Sequence, residues 1–102
     1  MQNHTKVYMD FFGYSETCFV PCEMCQDRAV DIHHLTKQSK FGSKKEKDYI
    51  ENLIALCRDC HNKCENDNMF NMFARIEHLE NTCHQIYGLI EYEKRFKKKK
   101  WN

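Results

Sequence analysis

Two Cys-x-x-Cys pairs, Cys22-Glu23-Met24-Cys25 and Cys57-Arg58-Asp59-Cys60, stand 31 residues apart in a chain of 102. One tight turn of this kind offers two sulfurs at adjacent vertices of a tetrahedron, and two turns complete the four-thiolate shell of a structural zinc. A chain this short lies near the low end of what a hydrophobic core alone stabilises. A cross-link between its two halves therefore restricts the available folds more than any other feature. Paired knuckles are ordinarily ~15–20 residues apart, so the longer insert is expected to be a structured excursion.

Seven cysteines would also suit a secreted disulfide scaffold. The count is odd, however, and four of the seven fall in the two pairs. Met1–Asp10 carries neither a continuous apolar stretch nor a small-residue cleavage site. The expectation is a reducing, intracellular setting, read as cytoplasmic, with bound Zn²⁺. Two redox dithiols are the rival reading, and they call for a βαβ context that the pattern lacks. Cys18, Cys64 and Cys83 are left as structural or free thiols. No apolar run approaches the ~18–20 residues of a membrane span, so no membrane partner is expected. With 41% hydrophobic and 30% charged residues, three Gly and one Pro, residues 1–102 read as one globular domain without long linkers.

Along the chain, Met1–Thr5 is expected to fray. Lys6–Phe12 has the three- and four-residue spacings of a short helix, with Gly13 ending it. Ala29–Leu35 alternates and is β-branched, which suits a strand. Gln38–Asp48 is a polar, Lys-rich loop. Asn52–Leu56 reads as a second strand, and a helix starting at Arg58 or Asp59 carries His61. From Asp67, Met69, Met72, Phe73, Ile76, Leu79, Cys83, Ile86, Tyr87 and Ile90 form one helical stripe. That stripe is expected to pack on the core of a supporting helix over 67–90, with Gly88 ending or interrupting it.

The insert holds a histidine pair, His33-His34, then Asn52 eighteen residues after His34 and His61 nine further on. Imidazole can ligate a divalent metal or act as a base near neutral pH. Cleavage of a phosphodiester needs both, a cation on the developing charge and a base for the attacking water. Neighbours in a regular strand point to opposite faces, so a pair serving one phosphate is expected at a strand end or bend.

Together, Cys-x-x-Cys, Val-Asp-Ile-His-His-Leu and Glu-Asn-Leu-Ile-Ala-Leu-Cys-x-x-Cys-His-Asn-Lys resemble the HNH endonucleases with a structural zinc, of the type common in phages and mobile elements. The resemblance spans about two-fifths of the chain. It implies an α+β fold: a small zinc-stabilised ββα-metal core at 22–65, flanked by a short N-terminal helix and a C-terminal amphipathic helix. It makes His34 the general base, His33 and His61 ligands of a catalytic Mg²⁺ or Mn²⁺, and Asn52 the residue that holds the loop. Cys22, Cys25, Cys57 and Cys60 are the structural zinc ligands. Some members carry a second ligating His four residues after the helix His. Here Glu65 stands there and is read chiefly as helix-surface charge. The implied reaction is phosphodiester hydrolysis, usually of DNA, to 5′-phosphate and 3′-hydroxyl ends.

The net charge of +1 hides a segregation. Six cations lie in residues 94–102, leaving ten Lys/Arg against fifteen Asp/Glu, or −5, over residues 1–93. Lys37, Lys40, Lys44 and Lys45 in the loop, with Arg58 and Lys63 beside His61, are candidate phosphate contacts. Such contacts give salt-sensitive, largely sequence-independent affinity. The basic tail with Trp101 is a further candidate for stacking or charge neutralisation. The alternatives are a zinc-stabilised nucleic-acid-binding module without catalysis, and a protein-interaction domain using the Met-rich helix.

Overall fold

Leu53-Ile54-Ala55-Leu56 has no polar residue to turn toward water, and all four are fully buried. The computed structural model describes residues 2–96, with only the backbone at Phe96. In it this run is strand β2 (Leu53–Leu56), antiparallel to β1 (Asp31–His34), with His33 opposite Ile54 and His34 opposite Leu53. A lone two-stranded hairpin is marginal in water. Here both faces of the sheet are covered, which explains why β2 shows no apolar–polar alternation.

Helix α1 (Asn3–Phe12) covers one face, packing Tyr8 against Leu53 and Ala55, with Val7, Phe12 and Ile32 around them. It begins at Asn3, so the expected fraying of residues 2–5 is not seen. It ends at Gly13, whose φ of 75° is the left-handed C-cap that glycine adopts without strain. The other face carries α2 (Arg58–Asn66) and the first turns of α3 (Asn68–Phe96). There Leu35, Ile54, Leu56, Cys60, Cys64 and Ala74 form a second cluster. The loop from His34 to Leu53 is three short 3₁₀ turns: Gln38–Lys40, Lys45–Asp48 and Ile50–Asn52. Asp67 caps α3, its Oδ1 accepting from the N–H groups of Met69 (2.9 Å) and Phe70 (3.3 Å). Gly88 neither ends nor breaks this helix, which continues to Phe96.

The main departure from expectation is the face α3 presents to the core. Met69, Met72, Phe73, Ile76, Leu79, Ile86, Tyr87 and Ile90 are 45–64% exposed, and Cys83 is exposed too. The buried residues are Ala74, His78 and Thr82. The polar side of the helix docks because it carries hydrogen bonds the body needs. Asn71 donates to Leu35 O, Arg75 to Thr36 Oγ1, Gln85 to Phe11 O and Asn81 to Glu23. His78 donates from Nε2 to Ile50 O at 2.6 Å, and its Nδ1 is hydrogen-bonded to the Glu23 carboxylate at 2.9 Å. Glu23, between the first two cysteines, also accepts from the buried Tyr8 hydroxyl at 2.7 Å. A buried carboxylate is tolerated only with such a full set of partners. This network ties α1, the first knuckle and α3 together. Among the described residues, no buried side-chain nitrogen or oxygen lacks a partner.

Candidate functional site

Both cysteine knuckles arrive at one end of the sheet. The first turn is closed by Cys22 N–H to Asp27 O and Gln26 N–H to Cys22 O. The second is the start of α2, where Cys57 is the N-cap and its sulfur accepts from the Cys60 N–H at 3.4 Å. The four sulfurs lie within 4.8 Å of one another, with Cys25 and Cys57 3.6 Å apart. A disulfide is ~2.05 Å long, whereas a tetrahedron with Zn–S bonds of ~2.3 Å has edges of ~3.8 Å. The four thiols therefore fit a zinc ion and not a disulfide pair. Burial pushes the Cys60 thiol well above its ordinary value, so the Cys60 thiolate in particular is disfavoured without a cation beside it. Cys64, seven residues behind the N-cap, stays outside this shell. Burial pushes its thiol up to about 11, so it packs as a neutral core residue.

His61 follows Cys60 but, one helical step round, faces away from the sulfurs. Its Nδ1 lies 3.0 Å from Asp31 Oδ2, and its Nε2 lies 3.2 Å from Glu65 Oε1, one turn along α2. His33, two residues after Asp31 on the same strand face, comes to the same spot. Its Nδ1 is 3.7 Å from Glu65 Oε1 and its ring centroid 5.0 Å from that of His61. The outer hydrogen bonds settle which ring nitrogens are free. Asn71 Nδ2 donates to Leu35 O, so its Oδ1 must accept, and at 2.9 Å it receives His33 Nε2–H. Asp31 can likewise only accept from His61 Nδ1–H. His33 Nδ1, His61 Nε2 and Glu65 Oε1 are then three lone-pair acceptors converging within 4.8 Å. Only a cation or an extra proton relieves that arrangement. Burial holds His33 below the ordinary imidazole value, against the opposing pull of its Asn71 hydrogen bond, which favours the neutral, ligating form. Glu65, read from sequence as surface charge, belongs to this cluster.

His34 is the last residue of β1 and turns to the opposite face, as strand geometry requires. Its Nε2 donates to Asp48 Oδ1 at 2.9 Å, and its ring centroid lies 4.7 Å from that of His4 on α1. Asp48 also accepts from Asn3 Nδ2. Although burial pushes the Asp48 carboxyl up, the His34 and Asn3 hydrogen bonds hold it below the ordinary carboxylate value. Burial and the neighbouring His34 hold His4 below the ordinary imidazole value. The two histidines therefore diverge from the strand into different clusters. Both nevertheless line one open groove of about 850 Å³, with His4, Thr36, His61, Glu65 and Asn71.

Asn52 touches neither cluster. Its Oδ1 accepts from Thr36 N–H (2.7 Å), and its Nδ2 donates to Thr36 O (3.1 Å) and Lys47 O (2.9 Å). Its side chain is thus committed to holding both ends of the 36–47 loop. Of the cations singled out in the sequence, Lys37 and Lys40 line the groove. Arg58 pairs with Asp31 at 2.8 Å, and Lys63 sits over the Phe70 ring, 5.7 Å from its centroid. Lys44 and Lys45 are exposed on the loop away from the groove lining. Lys97, Lys98, Lys99, Lys100 and Trp101 lie outside the described residues.

Sequence reasoning missed Asp31, Asp48, Asn71 and His4. Asp31 had a usable signal, since residues two apart on a strand share a face. The other three reach the groove from distant elements, and no local pattern announces them.

Residues 22–67 match a family model described as HNH endonuclease. No curated protein and no solved structure matches the chain. The four cysteines, both strands and all of α2 lie inside the matched span, so the similarity to the HNH endonuclease family rests on residues 22–67.

Proposed function

We propose that this chain is a metal-dependent endonuclease that hydrolyses DNA phosphodiester bonds to 5′-phosphate and 3′-hydroxyl ends. The observation that carries the reading is the forced convergence of His33 Nδ1, His61 Nε2 and Glu65 Oε1 in the groove that His34 also lines. Two imidazoles and one carboxylate form a donor set that accepts Mg²⁺, Mn²⁺ or a later divalent metal. When bound there, such an ion would supply positive charge to the scissile phosphate and the departing oxygen.

The chain's own residues would do the rest. Asp31 and Asn71 fix the tautomers of the two ligating rings, the outer hydrogen bonding that orients metal ligands elsewhere. Asp48 holds the His34 Nε2–H, leaving Nδ1 to take a proton from water as the water oxygen bonds to phosphorus. The P–O3′ bond then breaks, and the 3′-oxygen is protonated from solvent. Asn52 acts on shape, keeping the loop that carries Lys37 and Lys40 against the groove. Lys37, Lys40, Lys44 and Lys45, with Arg58 and Lys63, would meet backbone phosphates, Arg58 leaving Asp31 to do so. The four-cysteine zinc would hold α2, and with it His61 and Glu65, against the sheet.

The test is nicking of supercoiled plasmid with Mg²⁺, Mn²⁺, Co²⁺ or Zn²⁺ added in turn. Wild type should convert plasmid to open circles and then linear product, while His34→Ala should be slower by roughly 10²–10⁴-fold, the worth of general base catalysis. Equal, negligible rates for both proteins across all four metals would remove the enzyme reading. In that case salt-dependent DNA binding unaffected by His34→Ala would support the binding-module alternative.

A further inference from the structure

The exposed face of α3 is a seam and not scattered greasy surface. Met69, Met72, Ile76, Leu79, Cys83, Ile86 and Ile90 follow one another at spacings of 3, 4, 3, 4, 3 and 4. In heptad letters these are consecutive a and d positions over three repeats, with Met69, Ile76, Cys83 and Ile90 at a and Met72, Leu79 and Ile86 at d. None of the seven is charged. A stripe that keeps a strict 3.5-residue period is the pattern of a helix lying along an equivalent helix, because a solitary α-helix drifts off that period. The side that docks on the body is a different one. Asn71, His78 and Gln85 occupy c, Ala74 and Asn81 occupy f, and Thr82 occupies g. Body and seam therefore do not compete for the same residues.

Two further observations bear on whether the seam is covered. From Ile86 to Arg95 no described side chain is buried, so about three turns of helix project beyond the body. Isolated helices shorter than ~12–15 residues are marginal in water, and this one presents Ile86, Tyr87, Leu89 and Ile90 at 48–64% exposure. The area also fits. Eight side chains about half exposed, out of the roughly 200 Å² each can show, give on the order of 800 Å² per copy, the share each partner contributes to a standard specific interface. The largest apolar patch on a typical monomer is only ~300–600 Å².

We infer that α3 pairs with α3 of a second copy of this chain along the Met69–Ile90 seam, forming a parallel, in-register two-stranded coiled coil. A two-fold pairing is self-complementary, so one sequence supplies both sides. In register, each a residue meets its own counterpart, and Cys83 lies beside Cys83 of the other copy. Phe73 and Tyr87 at e flank the seam and widen its apolar contact. The inference stands independently of the proposed nuclease activity.

The test uses the full zinc-loaded chain. Sedimentation equilibrium should give about 25 kDa, twice the 12.4 kDa of one chain. Leu79→Glu and Ile86→Glu should each weaken self-association by roughly a hundredfold or more, since an unpaired charge would be buried in the seam. Both positions are exposed in the single chain, so zinc content and circular dichroism should stay as in wild type and show that the fold survives. Mild oxidation of a Cys18→Ser chain should cross-link the copies through Cys83, read by peptide mapping. A monomer at 100 µM, a mass of three or more copies, or a dimer that persists in both glutamate variants would each overturn the proposal. A variant-sensitive dimer that gives no Cys83 cross-link would overturn the parallel register.

Discussion

Asn52→Ala should destabilise the protein by about 3 kcal/mol without touching either metal cluster. The side chain is 5% exposed and makes three hydrogen bonds, all to backbone groups of Thr36 and Lys47. A typical hydrogen bond contributes ~1 kcal/mol net, and leaving a buried partner unsatisfied costs ~1–3 kcal/mol. Three bonds give roughly 3 kcal/mol, a large part of the ~5–15 kcal/mol that holds a domain of this size. The thermal midpoint should fall by roughly 10–20 °C, measured at saturating zinc. Hydrogen exchange should speed up at the Thr36 amide before it does at Leu53–Leu56. Asn52→Asp is the sharper variant. Its size is unchanged and its Oδ1 still accepts from Thr36, but a carboxylate oxygen replaces the NH₂ facing two carbonyl oxygens at 2.9 and 3.1 Å. It should be at least as damaging as Ala at pH 7 and recover as pH falls and the carboxyl gains a proton it can donate. An Asp variant as stable as wild type at pH 7, or a loss below about 1 kcal/mol in Ala, would refute the view that Asn52 works by clamping the loop.

Three further outcomes follow from the geometry. Stripping zinc with a strong chelator, or Cys57→Ser, should unfold the sheet and α2, because structural zinc contributes ~10 kcal/mol or more of folding free energy in small domains; unchanged circular dichroism after metal removal contradicts it. Asp31→Asn should weaken Mn²⁺ binding by roughly 10–100-fold with the zinc retained, because the His61 ring loses its anionic anchor; calorimetric titration reads the change. Tyr8→Phe should cost about 2 kcal/mol in urea unfolding, the worth of a hydrogen bond to a charged group, since its hydroxyl donates to Glu23 at 2.7 Å in the core. A loss within experimental error would mean that the Glu23–His78 pair does not need that donor.

Much of the site was legible from spacing alone. Cys22, Cys25, Cys57 and Cys60 converge as their knuckles imply, and β1, β2 and α2 fall within a residue or two of where alternation and capping put them. The divergence of His33 from His34 also follows from strand geometry, and the structure puts both in a regular strand whose last residue is His34. Glu65 was harder. Its four-residue offset from His61 places the two on one helix face, but that offset equally describes an ordinary surface pair. Only the approach of His33 from the strand turns it into a third donor. Asp48, His4 and Asn71 had no readable signal. A lysine-rich loop, an N-terminal helix and the second turn of α3 have nothing in sequence that ties them to one groove.

The α3 stripe shows where the boundary lies. Sequence determined that Met69 to Ile90 form the apolar side of a long helix, because periodicity is a local property of the chain. It could not determine what covers that side. Burial is decided by which other groups need satisfying. The buried Glu23 carboxylate, the Leu35 and Ile50 carbonyls and the Thr36 hydroxyl had to find partners, and the polar side of α3 supplied them through Asn71, Arg75, His78 and Asn81. Leaving a buried polar group without a partner costs ~1–3 kcal/mol, a penalty that docking the polar side of α3 avoids at each of these positions. The apolar side was left in water, to be covered from outside the chain.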